Sequence, residues 1–195
     1  PDQPRYRYII TESGVVRVDL TDGMRKEPVT VPRGGSLPVV DPTDDTLYYV
    51  LVGRNIMRMR PSVNGEQTTL MRGGRQINAL KIDPKGRRLY YSDQGQGTVG
   101  YIDLDTLESV IIYERLSNPT LESVDPNSVL VKESDSRGRE TVSTISTDED
   151  RPTKDSAPRE LIGADEAATF RPGQFIYLSN GFLYSIEQGR QPQVI

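Results

Sequence analysis

The chain has 195 residues, 24 basic and 28 acidic, for a net charge of -4, and it contains no cysteine, histidine or tryptophan. These absences exclude disulfide frameworks, thiolate-held zinc and every mechanism built on a Cys nucleophile or an imidazole base. What is left for catalysis is carboxylate, Lys, Tyr or Ser chemistry, or a metal held by oxygen alone. The charge balance argues against a general nucleic-acid binder, and no run approaches the ~18 apolar residues of a membrane span. The opening Pro1-Asp2-Gln3-Pro4 has none of the features of a secretory leader.

Short strands follow one another from the start. Tyr6 to Ile10 and Val15 to Leu20 read as a pair, the second with Val16, Val18 and Leu20 on one side and Arg17 and Asp19 on the other. A third strand is expected over Pro28 to Val31, then a turn at Gly34-Gly35, then Leu37 to Val40 leading into Asp41-Pro42. The order then repeats: Leu47 to Val50, Asn55 to Met59, Gln67 to Leu70, a turn at Gly73-Gly74, and Ile77 to Ile82 before Asp83-Pro84. It repeats again with Leu89 to Ser92, Thr98 to Leu104, Ser109 to Tyr113, the turn at Ser117-Asn118, and Leu121 to Val124 before Asp125-Pro126. Later copies are Val129 to Val131 with Thr141 to Ile145, then Phe175 to Leu178, Phe182 to Ile186 and Gln193 to Ile195. The last pair is joined through Ser179-Asn180-Gly181, a turn whose Asn-Gly accepts positive φ.

The Asp-Pro turns are 42 residues apart both times, and Arg171-Pro172-Gly173 is a similar turn 46 further on. Four short antiparallel strands every 40 to 45 residues form the pattern of propeller blades. A β-sandwich would not repeat a turn dipeptide at fixed spacing. The chain therefore reads as a single all-β propeller, with repeats at approximately 5–36, 37–76, 77–120, 121–163 and 164–195. It opens on what reads as the second strand of a blade. About five blades are thus expected, from an incomplete six-bladed ring that a further segment or a partner would complete, or from a ring that closes at five.

Tyr90-Tyr91-Ser92-Asp93 resembles the Tyr-Trp-Thr-Asp motif of the six-bladed propellers in low-density-lipoprotein-receptor-like proteins. Val16-Arg17-Val18-Asp19-Leu20-Thr21-Asp22-Gly23 is similar to the strand that follows it in that family, and Tyr48-Tyr49-Val50-Leu51 and Tyr177-Leu178-Ser179-Asn180 are weaker copies. The resemblance implies an extracellular or cell-surface, receptor-like module that binds a protein ligand on one face, with Asp93 a scaffold residue. The departures are that Tyr, Leu or Ile stands at every Trp of the motif and that the family's Cys-rich flanking modules are absent from this sequence.

Charge is unevenly spread. Residues 54–88 carry Arg54, Arg58, Arg60, Arg72, Arg75, Lys81, Lys85, Arg87 and Arg88 against Glu66 and Asp83 alone, whereas residues 89–170 hold 7 basic and 17 acidic residues. The seven arginines are the candidate interaction surface, able to steer an oppositely charged partner. Solvated strand edges kept charged against mispairing are the competing explanation.

The expected function is non-catalytic protein binding. One alternative is a structural subunit completed by neighbouring chains. The other is a lactonase-like hydrolase with an oxygen-ligated metal, for which Asn78, Asp125 and Asn180 lie near strand ends. The stretch from Lys132 to Arg159 is polar enough to suggest a long exposed loop. A calcium contact there through Asp148, Glu149 and Asp150 matches no calcium-loop spacing, so no cofactor is assigned. Gly95-x-Gly97-x-x-Gly100 matches a dinucleotide fingerprint by letter but has no helix after it, and is read as a hairpin. Asn118-Pro119-Thr120 is not a usable glycosylation site, because of its proline.

Overall fold

The computed structural model describes residues 6–11, 14–60, 65–148 and 152–195. Five antiparallel sheets follow one another along the chain. The first has three strands among the described residues: β1 (Tyr6–Thr11), β2 (Gly14–Asp19) and β3 (Arg25–Val29). The second is β4 (Gly35–Val40), β5 (Leu47–Leu51), β6 (Asn55–Met59) and β7 (Gln67–Met71). The third is β8 (Ile77–Asp83), β9 (Arg88–Asp93), β10 (Thr98–Asp103) and β11 (Ser109–Tyr113). The fourth is β12 (Thr120–Val124), β13 (Ser128–Ser134), β14 (Glu140–Ser146) and β15 (Lys154–Ser156). A short 3₁₀ turn at Arg159–Leu161 leads to the fifth: β16 (Glu166–Arg171), β17 (Gln174–Ser179), β18 (Phe182–Glu187) and β19 (Gln193–Val194).

Strands β4, β8, β12 and β16 stand side by side, each against the next. These are the inner strands of blades that fan outward, the arrangement of a β-propeller. Side chains alternate along a strand, so each central strand feeds two neighbours. Tyr49 packs toward the first blade with Val15, Met57 and Met59. Tyr48 packs toward the third with Ile56, Leu89, Tyr91 and Ile102. Tyr90, Val99 and Tyr101 meet Leu121, Val129 and Ile145 of the fourth. Leu130 and Val142 meet Phe175, Tyr177 and Ile186 of the fifth. The Tyr-Tyr pairs are thus the junction residues between blades. A polar chain ties the third blade to the fourth as well: Ser92 Oγ donates to Asn78 Oδ1 at 2.8 Å and accepts the Leu121 N–H at 3.1 Å, while Asn78 Nδ2 donates to Pro119 O at 3.0 Å.

The repeated turns have one physical origin. Asp41 accepts the Thr43 N–H, Asp83 those of Lys85 and Gly86, and Asp125 those of Asn127 and Ser128, all within 2.9–3.0 Å. Each carboxylate closes its own turn, and the proline after it presets the backbone.

Two sequence expectations change. The polar stretch from Lys132 to Arg159, expected as a long exposed loop around the Thr141 to Ile145 strand, holds the end of β13, the whole of β14 and β15, because inter-strand bonding orders it where apolar content is low. The third strand of the first repeat is Arg25–Val29, not Pro28 to Val31. Gly97, with φ of 68°, sits in the β9–β10 hairpin, which leaves no helix for the dinucleotide reading.

Candidate functional site

Antiparallel order sends alternate connections to opposite ends of the blades. The Asp-Pro turns and the β10–β11 turn fall at one end. The β5–β6 and β9–β10 hairpins and the crossings between blades fall at the other. The candidate arginines divide accordingly.

At the Asp-Pro end, arginines are committed to the fold. Arg87 pairs with Asp41, which is 0% exposed, and reaches Asp105 at 3.4 Å. Burial opposes its charge while Asp41 favours it, and the net effect raises its pKa. Arg60 pairs with Asp44 at 3.4 Å. The guanidinium of Arg88 lies 4.3 Å above the Tyr101 ring, and Arg58 is a half-buried strand residue opposite Tyr48. Many carboxylates at this end are likewise occupied by backbone donors. Asp103, for instance, is held below the usual carboxylate range by the N–H groups of Thr106 and Asp105.

The opposite end differs. Arg54 on the β5–β6 hairpin and Arg72 and Arg75 on the crossing to the third blade are all exposed, and none makes an ion pair among the described residues. Arg54 and Arg75 line an open hollow of about 620 Å³ with Val52, Asn55, Gly73 and Gly74. Backbone bonds lace its two walls together: the Gly74 N–H donates to Arg54 O at 3.0 Å, and the Ile77 N–H to Gly53 O at 2.9 Å. Gly74 is required there, because a Cβ would sit 2.7 Å from the Ile77 side chain and 2.8 Å from Arg54 O.

Asp93 supports this site from beneath. It is 1% exposed, and its carboxylate accepts the N–H of Arg75 at 2.8 Å, of Gln76 at 3.0 Å and of Gln96 at 3.1 Å. One buried anion thereby fixes both the hairpin and the crossing that carries Arg75. Glu133 holds the next crossing in the same way through the Ser117 N–H at 3.1 Å, with Lys154 as its ion partner. The sequence marked Asp93 as scaffold but gave no sign of which arginine it positions, since that follows only from strand register.

The residues raised for a metal-dependent hydrolase do not come together. Asn78 is bonded between blades, Asp125 closes its own turn, and Asn180 lies in a hairpin at the other end of its blade. Among the described residues no group of three or more Asp or Glu side chains is placed to hold a metal ion. Glu149 and Asp150, from the calcium expectation, lie outside the described residues. No helix of the described residues is long and apolar enough to cross a membrane.

No family model matches the chain, and no curated protein matches it in sequence. Solved structures do share its fold. A chain in the crystal structure of a nidogen/laminin complex matches with a TM-score of 0.66 at 15% identity, over 97% of this chain and 77% of that one. TolB from Acinetobacter baumannii matches with a TM-score of 0.64 at 11% identity, over 94% and 49%. An oligogalacturonate lyase in complex with manganese matches with a TM-score of 0.57 at 16% identity, over 93% and 58%. The chain thus spans about three quarters of the first and half to three fifths of the others. At these identities the likeness is one of fold, and propellers of this shape include both an enzyme and a protein seen in a protein complex.

Proposed function

We propose that the chain is a non-catalytic protein-binding propeller whose hairpin end, through Arg54, Arg72 and Arg75, receives an acidic segment of a partner protein. The observation that carries this reading is the contrast between the two ends. Of the candidate arginines at the Asp-Pro end, Arg60 and Arg87 are paired, Arg88 is stacked and Arg58 is half-buried, whereas these three are exposed, without ion pairs among the described residues, and mounted on loops locked by Asp93 and by backbone bonds. Guanidinium forks in a fixed array suit carboxylates. Preorganised loops reduce the ordering cost of association. The nidogen/laminin complex supplies an instance of the fold engaged with a protein, and a receptor-like, extracellular setting is the context the motif resemblance suggests.

The test is fluorescence anisotropy with a labelled hexaglutamate peptide. Binding should weaken steeply with salt, because exposed charges are screened beyond ~8 Å at physiological ionic strength. It should fall at least about tenfold when Arg54 and Arg75 are both changed to Gln. Salt-independent binding, or equal binding by the double variant, contradicts the reading.

A second reading, association with further copies, is favoured by the exposure of Ile9 and Ile10 in β1 and of Phe182 and Leu183 in β18, half-exposed apolar side chains on the first and last blades. Light scattering decides it: a concentration-independent monomer excludes self-association.

A further inference from the structure

The blade junctions are not equally filled. In the third blade, Tyr90 pairs across the ladder with Tyr101, their rings 5.5 Å apart, and Arg88 stacks on Tyr101. The fourth blade has the same register. The Gln94 N–H donates to Gln76 O as the Ser134 N–H donates to Ser117 O, and Asp93 and Glu133 hold equivalent crossings. Counting back along β9 and β13 from those positions, Leu130 replaces Tyr90, Thr144 replaces Tyr101 and Ser128 replaces Arg88.

One phenol ring, one guanidinium and much of a second ring are therefore missing where the fourth blade faces the fifth. A cleft of about 690 Å³ occupies that place, lined by Ser128, Thr144, Ser146, Asp155, Thr169 and Phe175 among others. Its size suits a small ligand. Its wall is hydroxylated, and it includes Thr169, whose buried Oγ1 has no hydrogen-bond partner. Buried hydroxyls are ordinarily satisfied, and an orphan in a cleft wall points to a missing partner.

We propose that this cleft binds a phenol-type ring, either of a small molecule or of a tyrosine side chain on a peptide. The ring packs on Phe175 in the space that Tyr101 fills one blade earlier, and its hydroxyl engages Thr169 Oγ1 and the neighbouring Ser and Thr hydroxyls. The site lies between the fourth and fifth blades and is independent of the arginine end.

The experiment is an NMR titration of the 195-residue chain with p-cresol and, separately, with N-acetyl-tyrosine amide, following the methyl signals of Thr144 and Thr169 and the ring signals of Phe175. Saturable shifts at these positions are expected. Response to p-cresol alone assigns the site to small phenols, and response to the capped amino acid assigns it to a peptide side chain. Thr144→Tyr restores the third-blade residue and should abolish binding. Thr169→Val removes the orphan hydroxyl while keeping its volume, and should weaken binding about fivefold, the worth of one hydrogen bond. Absent or non-saturable shifts with both probes, or unchanged affinity in Thr169→Val, overturn the proposal. The second criterion holds even where Thr144→Tyr fails to fold.

Discussion

Replacement of Asp93 perturbs the joint between scaffold and site most directly. Its buried carboxylate accepts three backbone N–H groups from two loops. A hydrogen bond to a charged acceptor contributes roughly 1.5–3 kcal/mol. The three are not additive, because they share one acceptor group and water reaches the exposed Gln96 once the carboxylate is gone. Asp93→Ala should therefore cost about 3 kcal/mol. Asp93→Asn retains the oxygen that faces Gln76 and Gln96 but turns an amide toward the Arg75 N–H, and should cost about 2 kcal/mol. In a chain of this length each kcal/mol lowers Tm by about 2–4 °C. The assay is urea unfolding of wild type and both variants, with hexaglutamate binding measured under folding conditions. Affinity should fall in Asp93→Asn even though every arginine remains. A cost within about 0.5 kcal/mol, the ordinary range for surface changes, would refute the assignment of Asp93 as the clamp.

Three other outcomes follow from the same geometry. Arg87→Gln leaves Asp41 buried without its ion partner and should cost about 3 kcal/mol in urea unfolding, whereas Arg54→Gln should stay within about 0.5 kcal/mol. Gly74→Ala, with its Cβ driven against Ile77 and Arg54 O, should cost about 1–3 kcal/mol by the same assay. Stability should hold across neutral pH and decline at both extremes. Asp103 and Asp135 are lowered in the fold by backbone and Arg139 contacts, so their contribution is present above the ordinary carboxylate value and lost as pH falls through their depressed pKa values. The Tyr48 phenol is pushed up to about 12 by burial, so its contribution is present below the ordinary tyrosine value and lost as pH rises through that range. Chemical denaturation at a series of pH values checks both arms.

The repeat was readable because the turns that punctuate it depend on residue type. Asp41-Pro42, Asp83-Pro84 and Asp125-Pro126 close by local side-chain-to-backbone bonds, which a sequence displays openly. Strands with an apolar run or alternation, such as β5, β6 and β11, were equally plain. β15 was not, because Lys154–Ser156 is exposed throughout and is held by pairing with β14 and by polar contacts such as Lys154 with Glu133, none of which leaves an apolar pattern. β16 escaped for a related reason: only Ala167 and Thr169 are partly buried among otherwise exposed residues, so the turn at Arg171-Pro172-Gly173 follows a segment with no apolar pattern.

The seven arginines looked like one surface because they are close in sequence. Alternating connections deliver Arg54 and Arg75 to one end of the blades and Arg60 and Arg87 to the other, where acidic turns engage them. Likewise the cleft beside Thr144 becomes visible only when blades are laid over one another in register.

Under the proposed function the hairpin end, and not the Asp-Pro end, engages an acidic partner. Anisotropy of labelled hexaglutamate against Arg54→Gln/Arg72→Gln/Arg75→Gln, with exposed Arg190→Gln at the other end as control, tests it most directly. The triple variant should lose binding and keep its Tm, and the Arg190→Gln control should bind at wild-type affinity. Equal losses in the two, or none in either, would contradict it.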